Sequence, residues 1–234
     1  MVHDIQGKPI MSKMFPFITK TWNPLGGKCL HKCVYCWADR LTKQYDMSKY
    51  RGPFKIYTKV LKRKFKENDF VFVQDMSDLF ANTVPHSMIR LVLDRIKMFP
   101  KTKFLLLTKN PIRYHNFHIP SNCVCGATIE TDSEELTKDI SNAPSVKERI
   151  YWMIQLRHKD KMLSIEPILN FGLYSFFTDI KLINPQFVAI GYDNYKNNLL
   201  EPSLIHTTML INLLEKEGIK VYRKTLREPK GDSS

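Results

Sequence analysis

The chain has 234 residues, 43% of them hydrophobic and 25% charged, enough for a real core without disulfide staples and suited to one α/β barrel-like domain or two small ones. Its five cysteines are odd in number and three of them cluster, which argues against a secreted disulfide framework and for a reducing, cytoplasmic setting. The formal net charge of +13 favours polyanionic partners such as DNA or RNA, with solvated lysine-rich faces as the bland alternative.

The opening stretch, MVHDIQGKPIMSKMFPF, lacks the apolar h-region of a signal peptide, and no run is long enough to be expected to span a membrane. From there the chain repeats one pattern, a short apolar run followed by a helix-like segment. Strands are expected over 15–21, 70–74, 104–108, 123–129, 162–165, 187–190 and 219–222. Helices are expected over 37–45, 55–65, 86–99, 146–156, 170–178 and 203–217. Pro85 suits a helix start and Gly218 a helix end. The basic stretch KIYTKVLKRKFK reads as a helix with Ile56, Val60 and Leu61 on one side and lysines on the other. The final residues, 227–234, read as a frayed tail behind a single domain with its core over about 15–226.

Strands alternating with helices imply a parallel sheet, open or rolled into a barrel. The runs are continuously apolar, as strands covered on both faces should be. Polar residues gather where the runs end: Gln74-Asp75, Thr108-Lys109, Glu130-Thr131, Glu166 and Asp193-Asn194. In parallel α/β folds the site lies at these carboxyl ends.

The sharpest motif is GGKCLHKCVYCWADR, with Cys29, Cys33 and Cys36 in the spacing C-x3-C-x2-C and Tyr35 before the third cysteine. Two metals compete for it. Structural zinc wants four ligands, and the fourth would have to be His31, Cys123 or Cys125. A 4Fe-4S cluster takes one thiolate at each iron corner, so three cysteines leave one iron open for an exogenous ligand. The other histidines, His86, His115, His118, His158 and His206, form no convincing metal pair. Trp22, Trp37 and Trp152 read as core or rim packing, with Trp22 and Trp37 flanking the cysteine loop.

This loop resembles that of the radical S-adenosylmethionine (SAM) superfamily. TWNP before it, then SDLF, LLTK, GATIET, LSIEPIL and VAIG at successive strands, resemble a phage-associated radical-SAM-like family of unknown function, distantly similar to spore photoproduct lyase. The likeness runs over about 15–226. In that family an additional cysteine commonly follows the Asn-Pro stretch; here the loop is compact and keeps the plain superfamily spacing.

The resemblance implies a partial (β/α)6 barrel of parallel strands. It also implies a cluster held by Cys29, Cys33 and Cys36, whose open iron binds SAM. The reduced cluster would cleave SAM to methionine and a 5′-deoxyadenosyl radical that takes hydrogen from a substrate, with an electron donor such as flavodoxin or ferredoxin. Tyr35 would pack near the adenine. Gln74, Asp75, Met76, Ser77 and Asp78 occupy the place of the motif for the SAM amino group, although Ser77 or Asp78 would equally serve as helix caps. Thr128 and Glu130 face the same way on the fourth strand and resemble the pair that contacts the SAM ribose; Ser164 and Glu166 repeat that spacing on the fifth. Lys109, Glu166 and Lys224 are the candidates for catalysis, with Lys109 and Lys224 able to pair with the glutamates or meet a substrate phosphate. Strand parity turns Cys123 and Cys125 outward, towards the helices, against a hydrogen-donor role. The substrate reads as DNA, RNA or a nucleotide; a peptide or small metabolite, or a zinc-containing nucleic-acid-binding protein without catalysis, are the alternatives.

Overall fold

The structure is a computed structural model and describes residues 14–229. The last part of the expected tail, 230–234, lies outside the described residues. Nine strands and six α-helices follow in order: β1 (Lys20–Trp22), β2 (Leu25–Gly26), α1 (Trp37–Gln44), β3 (Lys55–Ile56), α2 (Thr58–Leu61), β4 (Phe70–Val73), α3 (His86–Lys97), β5 (Lys103–Thr108), β6 (Cys123–Thr128), α4 (Val146–Gln155), β7 (Lys161–Ile165), α5 (Leu173–Ile183), β8 (Phe187–Ile190), α6 (Leu204–Lys216) and β9 (Lys220–Arg223). Seven strands form one sheet in the order β1-β4-β5-β6-β7-β8-β9, and each neighbouring pair is parallel. The expected α/β class with parallel strands is therefore what the chain adopts. The sheet carries seven strands and has β1 and β9 as its edges.

Side chains leave the two faces of this sheet alternately. Phe72, Leu105, Val124, Met162 and Ala189 form the inner cluster with Phe15 and Ile18, while Val71, Val73, Phe104, Cys123, Cys125, Ala127 and Leu163 belong to the larger cluster under the helices. Cys123 and Cys125 thus face outward, as their parity requires, and are fully buried.

Two expected elements change. Residues 15–19 are apolar but do not form a strand; β1 starts only at Lys20. They fill the inside of the curled sheet instead. The Phe17 ring meets Phe70 of β4, Phe187 of β8 and Tyr222 of β9, with centroids 4.8–5.2 Å apart, so one residue touches both ends of the sheet. The long helix expected over 55–65 shrinks to the four residues of α2, preceded by β3. Ile56 pairs with Leu25 in an antiparallel ribbon, which takes the first turn out of the helix. Phe65 is pulled into the core against Trp22, Phe99 and Phe104, and Arg95 donates to the carbonyls of Lys62 and Arg63. Burial of an aromatic ring outweighs the weak propensity of a lysine-rich segment to stay helical.

Helix α4 begins with a capping box between Ser145 and Glu148, and α5 ends at Asn184 in the left-handed conformation. Behind β5 and β6 the Tyr114 hydroxyl lies 2.6 Å from the Leu106 carbonyl and 2.8 Å from that of Gly126, in a fully buried position. Tyr114→Phe is expected to lower unfolding free energy by about 1–2 kcal/mol, measured by chemical denaturation, because it strips a buried acceptor of its donor without changing the packed volume.

Candidate active site

The strand ends open into one cavity of about 1280 Å³. Cys29, Cys33 and Cys36 line it from the loop between β2 and α1, with Tyr35 beside them. All three thiols are half-buried and free of disulfides. Cys36 is also the N-cap of α1, where its sulfur accepts from the Asp39 amide. Burial pushes the Cys29 thiol up to about 12, with Asp78 and the other two thiols adding to the rise. Burial raises that of Cys36 as well. Among the described residues, no three His, Cys, Asp or Glu side chains gather into a ready metal site.

Loop residues are held at several points. His31 Nε2 lies 2.8 Å from Asp78 Oδ2, and both side chains are buried. The Asp78 carboxylate also accepts from the Thr108 hydroxyl and the Lys109 amide, and its second oxygen from the Phe80 amide. Burial works against the Asp78 charge, but His31 and these donors hold its carboxyl below the usual range. On the other side the segment 140–142 straps the loop: Val34 N–H donates to the Ile140 carbonyl, Asn142 N–H to that of His31, and Ser141 Oγ sits 3.1 Å from Cys33 Sγ.

The stretch after β4 is equally fixed. Gln74 has φ of +60°, and its amide group bonds both N–H and carbonyl of Leu25 and the Ser77 hydroxyl. Asn23 takes the Asp75 carboxylate and the Met76 amide. Burial raises the Asp75 carboxyl. Gln74, Asp75, Met76, Ser77 and Asp78 all line the cavity.

Thr128, Ser164 and Glu166 line it too; Glu130 does not. The Glu130 side chain is fully buried and enclosed by three partners. Lys109 Nζ and the Tyr35 hydroxyl meet one oxygen, and Arg149 Nη1 donates to the other at 2.7 Å. Lys109 Nζ also lies 2.6 Å from the Tyr35 hydroxyl, and Arg149 donates to the Thr128 carbonyl. Burial alone would raise the Glu130 carboxyl; Arg149 and Lys109 overcome it and bring it to about 2. At the far wall Lys224 pairs with Glu166, and Asn194 lies 3.4 Å from the other Glu166 oxygen.

The sequence reading missed His31, Asn23, Ser141, Arg149 and Asn194. Arg149 left a signal: it stands with Val146, Ile150 and Met153 on the buried face of α4, where an arginine must find a charge. The others carry no local signal, because their partners lie 28 to 110 residues away.

Residues 13–185 match the profile of a family described as "Protein of unknown function (DUF5131)". The chain belongs to this family. No curated protein sequence matches it. In fold, this DUF5131 chain is similar to a mutant spore photoproduct lyase with bound AdoMet and dinucleoside spore photoproduct, at 10% identity over 88% of this chain and 76% of that one, with a TM-score of 0.61. A second spore photoproduct lyase mutant gives 9% identity, the same coverages and a TM-score of 0.60. SuiB of Streptococcus suis bound to precursor peptide SuiA gives 8% identity over 88% of this chain and a TM-score of 0.55. The chain spans about half of SuiB, 49% of its length. At these identities the likeness is one of fold. Among the described residues no helix is long and apolar enough to cross a membrane.

The Glu130 network makes two tests. Arg149→Met should cost about 3–5 kcal/mol in unfolding free energy, because it leaves a buried carboxylate short of a charge. Glu130 is held well below its ordinary value of 4.5, so its contribution is complete above that pH and is lost as pH falls towards about 2. Glu130→Gln should therefore remove that acid-dependent loss from a plot of stability against pH; an unchanged acid limb would exclude Glu130 as its source.

Proposed function

We propose that this chain is a radical SAM enzyme of a phage-associated family, folded as a single cytoplasmic domain. Cys29, Cys33 and Cys36 hold a 4Fe-4S cluster in this reading. The observation that carries it is the placement of three free thiols on one lip of a cavity whose opposite walls are the polar ends of parallel strands. The donor set fits iron and sulfide: three soft thiols are present, and the Nε2 of the one nearby histidine is engaged by Asp78. Such a set leaves one iron open to an exogenous ligand. The cluster and SAM, when bound, would supply one-electron cleavage and a radical that abstracts hydrogen.

The chain's own residues would position these groups. The backbone and side chains of Gln74, Asp75, Met76, Ser77 and Asp78, stiffened by Asn23 and His31, would receive the amino-acid end of SAM. Tyr35, Thr128 and Ser164 would face its nucleoside. Glu130 is a positioning residue, since it acts through Tyr35 and Lys109. Glu166 and Lys224, on the wall formed by the last strands, would face the substrate. We assign that substrate to nucleic acid or nucleotides on the net charge of +13 and the fold shared with an enzyme whose structure holds a dinucleoside. Reduction would come from an electron carrier of the flavodoxin or ferredoxin type.

Anaerobic reconstitution with iron and sulfide should give a brown protein with about four irons per chain. With dithionite and SAM it should release 5′-deoxyadenosine. Cys33→Ala should lose both the visible absorbance and the cleavage. One equivalent of zinc and no iron in the purified protein would instead support the zinc-containing nucleic-acid-binding alternative.

A further inference from the structure

The cavity is larger than one cofactor needs. Sites for drug-sized ligands occupy roughly 300–1,000 Å³, against about 1280 Å³ here. The wall opposite the Gln74–Asp78 stretch is built from the ends of β7, β8 and β9. Backbone ladders fix it: Ile168 N–H donates to Gly191, Lys224 N–H to Ile190, and Tyr192 N–H to Thr225.

On this wall stands a polar cluster that does no visible work for the fold. Lys224 pairs with Glu166 Oε2, and the two side chains are only 12% and 15% exposed. Asn194 Nδ2 reaches Glu166 Oε1 at 3.4 Å, and Thr225 Oγ1 donates to Asn194 Oδ1 at 2.7 Å. All four line the cavity. Gly191 lies directly against them: a Cβ there would come within 3.0 Å of the Lys224 Cβ and 3.4 Å of Glu166 Oε1. Removing an ion pair from water is costly, and a pair of apolar residues of similar volume would serve packing as well or better.

The hydrogen-bonding inventory leaves capacity facing the cavity. An ammonium has three donors and a carboxylate about four acceptor positions, so after their mutual bond and that of Asn194 each still has about two unused. The site therefore presents donors beside acceptors. Lys224 Nζ lies 4.9 Å from the centroid of the Phe15 ring, and Phe15, Phe72 and Leu107 give the cavity an apolar lining. At the lip, Lys28 and Lys32 are exposed and meet no carboxylate among the described residues.

We propose that Glu166 and Lys224, supported by Asn194 and Thr225, form a subsite that reads the hydrogen-bonding edge of a nucleobase, with Lys28 and Lys32 attracting its phosphate. A flat ring bearing a donor next to an acceptor satisfies the pair and covers the apolar lining; a phosphate satisfies the free lysines. This deepens the reading given under Proposed function and rests on it for the place of SAM.

Equilibrium dialysis tests it on the full chain reconstituted with iron and sulfide. The probes are the deoxyribo- and ribonucleoside 5′-monophosphates, the parent nucleosides and N-acetyl amino-acid amides, each with and without labelled SAM. At least one nucleotide should be retained. Glu166→Gln and Lys224→Met should each weaken it about tenfold or more, with SAM retention unchanged. Lys28→Ala with Lys32→Ala should weaken the monophosphate but not the nucleoside. The double variant Glu166→Gln, Lys224→Met should melt no lower than the parent, which separates lost recognition from lost folding. Retention of no nucleotide, equal affinity in the variants, or retention of the amides with the same residue dependence would overturn the proposal. Loss of SAM together with the nucleotide in the variants would also overturn it, by placing the pair in the cofactor site. A parent chain that retains nucleotide but no SAM would refute the cofactor reading and leave the subsite standing.

Discussion

One buried carboxylate holds the candidate site together. Glu130 gathers Tyr35 from the cysteine loop, Lys109 from the end of β5 and Arg149 from α4. A lone carboxylate in that position would be prohibitively desolvated; two cations and a phenol make it tolerable, and the arrangement ties three separate parts of the chain to the end of β6. Truncating any partner leaves the rest uncompensated, so the loop, the sheet and the helix layer stand or fall together here.

Asp78 plays the same part on the neighbouring strand. It fixes His31 of the cysteine loop against Thr108 and Lys109 at the end of β5. The lysine is thus positioned twice, by its backbone through Asp78 and by its side chain through Glu130. Loop, β4, β5 and β6 form one hydrogen-bonded frame around half of the cavity. The remaining half, at the ends of β7 to β9, is connected more locally through Glu166, Lys224 and Asn194. This division suits a cavity with two tasks, one wall rigidly organised around cofactor and the other shaped for a substrate.

The inward–outward alternation along β6 shows how far residue pattern reaches. Parity alone turns Cys123 and Cys125 away from Thr128, and the core clusters place them under the helices. Parity also puts Glu130 on the inward side, yet its side chain is enclosed between Tyr35, Lys109 and Arg149 and does not line the cavity. Periodicity tells which way a side chain leaves a strand but not what closes over it. The stretch 15–19 makes the same point, since its apolar run has strand character and ends as the plug inside the curled sheet.

The sequence by itself determined the alternation of strands and helices, the parallel class of the sheet, the polar strand ends and the C-x3-C-x2-C loop. These are local patterns, set by side-chain period, burial on both faces and ligand spacing within a few residues. Only the tertiary structure decided that His31 belongs to Asp78, that Arg149 belongs to Glu130, that the lysine-rich segment before Phe65 unwinds, and that Glu166, Lys224, Asn194 and Thr225 meet on one wall. Each of those pairings joins residues distant along the chain, and a buried charge is satisfied by whichever partner the fold brings to it, which no local pattern records.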